Sequence, residues 1–357
     1  MSQWAERVAT TITKHFRGAE PAIMRNRPFS AMVYTKGRVL YNQSGKDFDW
    51  RVEYKRRTGQ PIADMQEASF ARQQRHLVAT LGYKSYILSD VMSKMDMLAN
   101  RGQEAIASML GNNVKSIEDD MKEDFDSQLL TNGDATGYED RVTGFESIFK
   151  GSGTGTQAQP NTGTYAGLSL VRGNYGGSWS SSPTWPYGRG DAHYDFWSPL
   201  ITNYTSSAGW SSTSWSTNAD EVLRWAITAA GRNSTKDGQM NLILLDLELF
   251  RQLKDLLATK ERFHAIDQNS DMTKLGFTQN RINFDGTDVL GGYGLEGSIG
   301  YGISFADIEL LSMQAQLFFV DGPKYDLRTR SSPMTVDFMG NLRVRKPRNQ
   351  CKFVAAG

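Results

Sequence analysis

The feature that most constrains the fold is a long amphipathic segment from Gly102 to Thr131. Its large apolar residues recur at steps of three or four, which is the period of an α-helix, so one side of the segment is apolar. They are Ile106, Leu110, Val114, Ile117, Met121, Phe125 and Leu129. The Asn132-Gly133 pair predicts the helix end. A helix of about thirty residues is a rod of roughly 45 Å, and we expect sheets and loops to pack along it.

The second half of this helix is acidic. Its acidic residues are Glu118, Asp119, Asp120, Glu123, Asp124 and Asp126, against a single Lys122. The helical period predicts Asp119 and Asp126 on the face opposite the apolar stripe. Carboxylates near a helix C-terminus face the negative end of the helix dipole, which disfavours each by about 0.5 kcal/mol. Two interpretations stay open: solvent tolerates this face, or cations from elsewhere offset its charge.

A second pattern, of period two, lies upstream. Phe48, Trp50 and Val52 alternate with charged residues, which predicts a strand with one apolar face. Another extended run follows from Arg75 to Leu88, and the polar segment 55–69 joins the two. We therefore expect a two-stranded hairpin, which needs a surface to lie on because an isolated hairpin is barely stable in water. Its basic residues, the candidate partners of the acidic helix, are Arg51, Lys55, Arg56, Arg57, Arg72 and Arg75.

The N-terminal region carries a short amphipathic segment over residues 3–17. Its apolar residues, Trp4, Val8, Ile12 and Phe16, are four apart and share one helical face. The segment either packs on its own core or docks on a neighbouring subunit or assembly partner, and the pattern does not decide between these. Pro21 and Pro28 predict an extended connector after it, and Asp90 to Asn100 is predicted as a short helix before the long one.

Residues 150–216 are of low complexity. The Gly- and Thr-rich stretch 151–164 predicts a mobile loop. Five of the chain's eight tryptophans follow: Trp179, Trp185, Trp197, Trp210 and Trp215. They could form a sugar-binding face, but packing of irregular loops is the favoured interpretation because large aromatic rings are usually buried.

The next part of the chain predicts an α/β lobe. Asn218 is the predicted N-cap of a helix that ends at Gly231. A buried strand over residues 239–245 follows, and Asp246 caps a further helix. Strands then dominate and are predicted over Arg281–Phe284, Thr287–Leu290, Ile308–Met313, Leu317–Val320 and Leu342–Phe353.

Signals for chemistry are nearly absent. The four histidines lack metal-ligand spacing, and Cys351 is the single cysteine, which excludes an internal disulfide. Gly292, Gly294 and Gly297 match a dinucleotide-binding pattern, but a strand rather than a helix is predicted next, so they indicate a turn. Residues 267–278 imitate a calcium loop without its glycine and final glutamate. We predict no catalytic residue, cofactor or metal site. An enzymatic role is not predicted either, because the sequence shows no nucleophile–base pair.

The composition of the chain limits which classes of partner it can bind. The net charge of +1 excludes bulk coating by nucleic acid, so phosphate contacts would be local. No apolar run is long enough to cross a bilayer, and no membrane partner is predicted.

The order of these elements resembles the major capsid proteins of tailed bacteriophages, which share the Hong Kong 97 fold. Individual stretches resemble that family too. They are Phe48 to Tyr54 in the hairpin, Asn100 to Gly102 before the long helix, Phe196 to Pro199, Leu275 to Phe277 with Phe284 to Val289, and Gly340 to Val344 with Pro347 to Gln350. The resemblance implies an α+β fold with an N-terminal arm, an extended hairpin called the E-loop, a peripheral (P) domain containing the spine helix, and an α/β axial (A) domain.

The resemblance also implies domain limits. They are 1–35 for the arm, 36–89 for the E-loop hairpin, 90–150 for the P domain with its spine helix, 151–304 for the A domain, and 305–357 for the return to the P-domain sheet.

The function implied is assembly. Subunits of this family form pentamers and hexamers that close an icosahedral shell around double-stranded DNA, and the hairpin lies across a neighbour. This suggests inter-subunit contacts between the basic hairpin and Glu118, Asp119, Glu123 and Asp126 of the helix. It implies a virion protein assembled in the bacterial cytoplasm, with a portal protein and a decoration protein as partners. Because only about thirty-five residues precede the hairpin, a separate scaffolding protein is expected. An encapsulin-type compartment and a Trp-rich carbohydrate-binding phage surface protein are the alternatives.

Overall fold

The computed structural model describes residues 28–35, 38–53, 60–68, 70, 72, 74–93, 117, 120–121, 123–151, 157–171, 197–207, 209–231, 239–259, 281–292, 295, 297–322 and 324–355. Its helices are α1 (Pro28–Thr35), α2 (the helical residues 117, 120, 121 and 123–130), α3 (Trp215–Ala230) and α4 (Leu247–Thr259). Short 3₁₀ turns lie at Phe145–Ile148, Phe305–Asp307 and Pro347–Asn349.

The strands run from β1 to β15 in chain order. They are β1 (Val39–Leu40), β2 (Asp47–Glu53), β3 (His76–Gly82), β4 (Lys84–Ser93), β5 (Thr164–Tyr165), β6 (Leu168–Ser169), β7 (Leu200–Asn203), β8 (Leu242–Asp246), β9 (Arg281–Phe284), β10 (Thr287–Gly292), β11 (Gly300–Ile303), β12 (Ile308–Ser312), β13 (Phe319–Asp321), β14 (Ser331–Val344) and β15 (Cys351–Val354).

A five-stranded sheet, as far as the chain is described, is built on the long strand β14. The strands β12 and β13 pair antiparallel with β14, β4 pairs antiparallel with residues 331–340 of β14, and β1 pairs parallel with β12. Helix α2 packs on this sheet. The ring of Phe125 lies 5.0 Å from that of Phe318 and 4.8 Å from that of Phe338. The predicted apolar stripe is therefore confirmed for Ile117, Met121, Phe125 and Leu129, which are all buried; its earlier members lie outside the described residues.

A six-stranded sheet, counted over the same residues, has the order β7-β15-β11-β8-β10-β9. Successive side chains of its strand β8 point alternately into two hydrophobic cores. Ile243 and Leu245 face helices α3 and α4, whereas Leu242 and Leu244 belong to the core that contains α2. The predicted α/β lobe is confirmed, and both faces of this sheet are covered because β8 is apolar on both sides.

The helix end at Asn132-Gly133 is confirmed, but for a different physical reason. Residue 130 is the last helical one, and Asn132 Oδ1 accepts a hydrogen bond from the Asp134 amide at 3.1 Å. Gly133 is absent from the residues with positive φ. A Cβ atom there would lie 2.3 Å from the carbonyl oxygen of Val142. Close backbone packing, rather than a left-handed conformation, therefore requires this glycine.

Three local predictions are wrong. Pro28 begins helix α1 rather than an extended connector, because proline is tolerated in the first helical turn. Residues 90–93 continue strand β4, where pairing with β14 overrides the predicted short helix, and the rest of that predicted helix, 94–100, lies outside the described residues. Asn218 lies inside helix α3, which has Ser214 as its N-cap, and its side-chain amide donates to the carbonyls of Tyr204 and Ser212.

The C-terminal strand also differs from its prediction. Residues 342–353 were expected to form one strand, and 305–357 to return to a single sheet. Pro347 starts a 3₁₀ turn that ends the first strand, since proline lacks an amide donor. Strand β15 then pairs with β7 and β11 in the six-stranded sheet. The C-terminal segment therefore joins the two sheets.

Candidate subunit-contact surfaces

The predicted hairpin is formed by β2 and β3. They pair antiparallel from Asp47 opposite Gly82 to Glu53 opposite His76. Its apolar face is buried against its own chain, where Phe48 and Leu81 pack on Leu311 of β12. The expectation that the hairpin lies on another subunit is therefore wrong for this face. Because β2 alternates, its opposite face stays exposed.

Trp50 anchors the hairpin to the sheet beneath it. The Arg343 guanidinium carbon lies 5.4 Å from the centroid of the Trp50 ring, and the ring of Trp197 lies 6.2 Å away. Cation–π and ring contacts of this kind add to the apolar burial of the indole. The hairpin base is thus fixed before any partner binds.

The predicted hairpin cations have different surroundings. Arg51 lies on the exposed face opposite Val78, and Arg72 is also exposed. Arg75 forms an ion pair with Glu53 across the hairpin. Lys55, Arg56 and Arg57 lie outside the described residues. Arg75 is therefore already paired within its own hairpin, while Arg51 and Arg72 are presented to solvent.

The hairpin also carries an acidic and apolar turn that was not predicted from the sequence. The amide of Gln66 donates to the carbonyl of Ala63 at 3.1 Å, and the Gln66 side chain accepts from the Ala63 amide. Met65 is 99% exposed and has a φ of 63°. Asp64 and Glu67 flank it. The sequence signal for this turn is the string Asp-Met-Gln-Glu at residues 64–67, which lies among the cations of the same segment.

The acidic helix face is only partly as predicted. Asp120, Glu123 and Asp124 are exposed, and Asp124 Oδ2 accepts a hydrogen bond from Tyr86 at 3.0 Å. Partial burial and this hydrogen bond raise the pKa of Tyr86 to about 12. Asp126 is instead buried, so its predicted place on the exposed face is wrong. Glu118 and Asp119 lie outside the described residues.

A network of ions surrounds Glu309, beside the hairpin base. Arg343, directly opposite on β14, forms an ion pair with Glu309, while Arg38 and Arg345 lie 3.0 and 3.2 Å from its carboxylate. Burial raises the pKa of Glu309, but the hydrogen bonds and charges of the arginines outweigh it, and the net pKa is lowered. The sequence offered no local signal for this network, because Arg38 is 271 residues from Glu309.

Asp307 extends this network. Its carboxylate lies 3.8 Å from Lys346 and accepts a hydrogen bond from Asn349 at 2.5 Å. Burial raises its pKa despite these partners. The network therefore holds two buried carboxylates whose pKa values are shifted in opposite directions.

A second polar cluster ties the segment 145–149 to the six-stranded sheet. The Tyr301 hydroxyl donates to Glu146 Oε2 at 2.7 Å, and Lys352 forms an ion pair with the same carboxylate. Burial, with the charge and hydrogen bond of Glu146, raises the pKa of Tyr301 well above its ordinary value. All three groups are satisfied within the chain, which marks this cluster as a structural junction.

The tryptophans that could have formed a sugar-binding face are largely internal. Trp197 and Trp215 are buried, and the Trp215 indole donates to the carbonyl of Leu249 at 2.9 Å. Trp210 donates to the carbonyl of Asn203 at 2.8 Å. Packing is therefore the role of these three. Trp179 and Trp185 lie outside the described residues.

The predicted loop 151–164 is tied down in its second part. Gln157, Gln159 and Asn161 are buried. Asn161 Nδ2 donates to Ser198 Oγ at 2.8 Å and to the Pro199 carbonyl at 2.7 Å. The burial of these residues and the hydrogen bonds of Asn161 do not favour the predicted mobility of this part of the loop. Residues 152–156 lie outside the described part of the chain.

The described residues contain neither a metal-binding cluster nor a membrane-spanning helix. Within them, no group of three or more His, Cys, Asp and Glu side chains is arranged to hold a metal ion. The described helices include none that is both long and apolar enough to cross a membrane.

Comparison with known proteins bears on the fold. No protein-family model and no curated protein sequence matches the chain. The solved capsid of a native GTA particle aligns over 91% of this chain and 90% of its own, with a TM-score of 0.57 and 12% identity. The capsid of cyanophage A-1(L) aligns over 93% of this chain and 91% of its own, with a TM-score of 0.58 and 13% identity. The capsid of an empty GTA particle aligns over 91% of this chain and 96% of its own, with a TM-score of 0.53 and 12% identity.

These alignments cover about nine-tenths of the chain. At such low sequence identity the likeness is one of fold. The fold expected from the sequence resemblance is therefore confirmed in its overall form, and the chain has the fold of these phage and GTA capsid proteins.

Proposed function

We propose that this protein is the major capsid protein of a tailed bacteriophage, with a structural rather than an enzymatic role. The observation that carries the proposal is the alignment with two capsid structures over nine-tenths of each chain. A fold alone does not fix a function. The exposed hairpin turn supports a role in binding other subunits.

The elements fit the parts of such a subunit. We assign the five-stranded sheet with α2 to the P domain, the six-stranded sheet with α3 and α4 to the A domain, and β2–β3 to the E-loop. Subunits then form pentamers and hexamers that close an icosahedral shell around double-stranded DNA. A scaffolding protein, a portal and a decoration protein are further partners, the virion is the final location, and the host cytoplasm is the site of assembly.

Charge complementarity supports one set of contacts in this shell. Arg51 and Arg72 of one hairpin, together with Lys55, Arg56 and Arg57, face Asp120, Glu123 and Asp124 of a neighbouring helix, and Glu118 and Asp119 extend the acidic partner. Asp126 is left out because it is buried. Cations across the C-terminal half of this helix would offset its unfavourable dipole interaction.

Expression of the whole chain tests the proposal. The protein, alone and with the genes that neighbour its own, is passed over a size-exclusion column and viewed by electron microscopy. We expect closed shells of megadalton size, containing nucleic acid when the phage genes are present. A stable monomer under every condition contradicts the proposal. Shells that enclose protein cargo instead of DNA favour an encapsulin-type compartment.

A further inference from the structure

The last part of the chain carries a basic run that the proposed subunit contacts do not use. Four of the six residues from Arg343 to Arg348 are cations, in the string Arg-Val-Arg-Lys-Pro-Arg. The run leaves strand β14 and enters the 3₁₀ turn that begins at Pro347. Arg38 joins it from a distant part of the sequence, because the Leu310 amide of β12 donates to the Arg38 carbonyl at 2.8 Å. The fold therefore brings a fifth cation to this run.

The cations around the buried carboxylates of Glu309 and Asp307 outnumber them. They are Arg38, Arg343, Arg345 and Lys346, which leaves an excess of two positive charges. The two carboxylates are nearly inaccessible, with 6% of each side chain exposed, whereas the side chains of Arg38, Arg345 and Lys346 are 36%, 40% and 55% exposed. The buried acids therefore hold three cations at the surface.

Two of the guanidinium groups converge on one point. Nη1 of Arg38 and Nη1 of Arg345 lie 3.0 and 3.2 Å from the same oxygen, Oε1 of Glu309. A guanidinium has five N–H groups in a planar fork, so the other nitrogens of each group keep donors for an anion. Lys346 lies 3.8 Å from the Asp307 carboxylate. Because the carboxylates already hold these side chains, less side-chain entropy is lost when an anion binds.

The surface that carries these cations is charged rather than apolar. Val344 and Pro347, which lie between the cations in the run, are both buried. The centre of a protein–protein interface is depleted of charge and rich in apolar area. Charge without apolar area is instead typical of surfaces that contact the sugar–phosphate backbone of a nucleic acid. A chain with a net charge of +1 can bind phosphates only through such a local group of cations.

We propose that Arg38, Arg345 and Lys346, here called the cation cluster, bind phosphate groups of the double-stranded DNA that the shell encloses. The two arginines contact one phosphate between them, and Lys346 contacts a neighbouring phosphate of the same strand. The contact is independent of base sequence, because phosphates carry no sequence information. This inference rests on the proposed function, since it assigns a local contact to the packaged DNA.

The salt dependence of DNA binding tests the cation cluster. Full-length protein from the unassembled fraction of the size-exclusion column is titrated with a fluorescent DNA duplex of random sequence, at several salt concentrations. Each neutralised phosphate contributes about 0.9 to the slope of log affinity against log salt concentration. Arg345→Gln with Lys346→Gln should therefore reduce this slope by about two and weaken binding about tenfold at about 0.1 M salt.

Three further variants keep the test specific. Arg328→Gln with Arg330→Gln removes the same charge at exposed positions of another turn, and its slope should stay within about 0.5 of wild type. Arg345→Lys with Lys346→Arg retains both charges and should retain the slope. Lys346→Gln alone should lower the slope by about one. Lys346 is more than half exposed, so this substitution spares the fold, and circular dichroism of each variant checks that it is folded.

The outcomes separate this inference from the proposed function. An unchanged slope in Arg345→Gln with Lys346→Gln, or an equal loss of slope in the control pair, overturns the DNA site even when shells form. If the cluster variant binds DNA normally but no longer forms shells, the cluster is a subunit contact and the DNA site is wrong. Wild-type protein that never forms shells but shows the expected slopes overturns the proposed function and leaves the phosphate site standing.

Discussion

Ser30 Oγ donates a hydrogen bond to Asp126 Oδ1 at 2.6 Å, and both side chains are buried. This contact joins helix α1 to helix α2 across 96 positions of sequence. It explains why an acid near the C-terminus of the long helix is retained inside the core. The hydroxyl supplies a hydrogen bond to a buried carboxylate, and an ionised group in the interior is costly without such bonds.

Loss of this hydrogen bond should destabilise the fold. Ser30→Ala leaves the Asp126 carboxylate with one donor fewer, so we expect the free energy of unfolding to fall by about 1–3 kcal/mol. Urea unfolding followed by circular dichroism measures the change. Ser127→Ala, at an exposed position of the same helix, is the control and should stay within about 0.5 kcal/mol. Equal stabilities of the two variants would show that the contact contributes nothing net.

The ion network predicts a dependence of stability on pH. The pKa of Glu309 is lower in the folded protein than its ordinary 4.5. Its contribution to stability is therefore present at neutral pH and is lost as the pH falls from about 4.5 through the folded-state value. We expect Glu309→Gln to lose about 2 kcal/mol at pH 7, because three arginines lose a charged partner, and to differ less from wild type in acid.

Urea unfolding at several pH values between 7 and about 3 measures this difference. Glu248→Gln is the matched control: the pKa of Glu248 is lowered to about 2, chiefly by the Arg251 hydrogen bond, but the side chain is fully exposed, so a much smaller change is expected. Asp307, whose pKa is raised by burial, acts in the opposite direction, and its ionisation opposes folding as the pH rises. If the difference in the free energy of unfolding between Glu309→Gln and wild type stayed constant across the pH range, this account would be contradicted.

Gly340 lies on β14 opposite Ser312 of β12. A Cβ atom there would sit 1.9 Å from the carbonyl oxygen of Leu311, which is backbone and cannot rotate away. We expect Gly340→Ala to destabilise the protein by about 3 kcal/mol, by forcing the two strands apart. Thermal unfolding measures this. Gly82→Ala is the control, since its Cβ would meet only the Asp47 carboxylate at 3.8 Å. A wild-type melting temperature for Gly340→Ala would disprove the close approach.

The basic hairpin segment should matter for assembly more than for folding. Reversing its charge in Arg56→Glu with Arg57→Glu places acids against the acidic helix of a neighbour, so we expect at least about a tenfold loss of shells at physiological salt and an unchanged melting temperature. Size exclusion and calorimetry measure the two effects. Arg328→Glu with Arg330→Glu, at exposed positions of another turn, is the control. Normal particles from the hairpin variant would rule out this electrostatic contact.

Several parts of the fold were predictable because they depend on the spacing of apolar residues over short stretches of sequence. The spacing of Met121, Phe125 and Leu129 placed one side of the long helix on a core, and the alternation through Phe48 and Val52 gave the hairpin strand its apolar face. Such patterns depend on neighbours within a few residues, so they can be recognised from the sequence alone. The order of these elements was enough to predict the overall fold.

The candidate contact surfaces were predictable only in part. Counting cations identified Arg51 and Arg72, which are exposed, but it also included Arg75, which pairs with Glu53. Helical period placed Asp126 outside, whereas α1 supplies a buried partner for it. Whether a charged residue is presented or enclosed depends on what packs over it, and residues distant in sequence decide that.

The sequence by itself determined the periodic elements, their order, and hence the class of fold. Only the tertiary structure decided that β15 crosses to the six-stranded sheet and that Arg38, Glu309 and Arg345 meet beside the hairpin base. The physical reason is that side-chain period is a property of consecutive residues, whereas strand order and charge networks come from long-range pairing. Such pairing is selected by the total burial and hydrogen bonding of the whole chain.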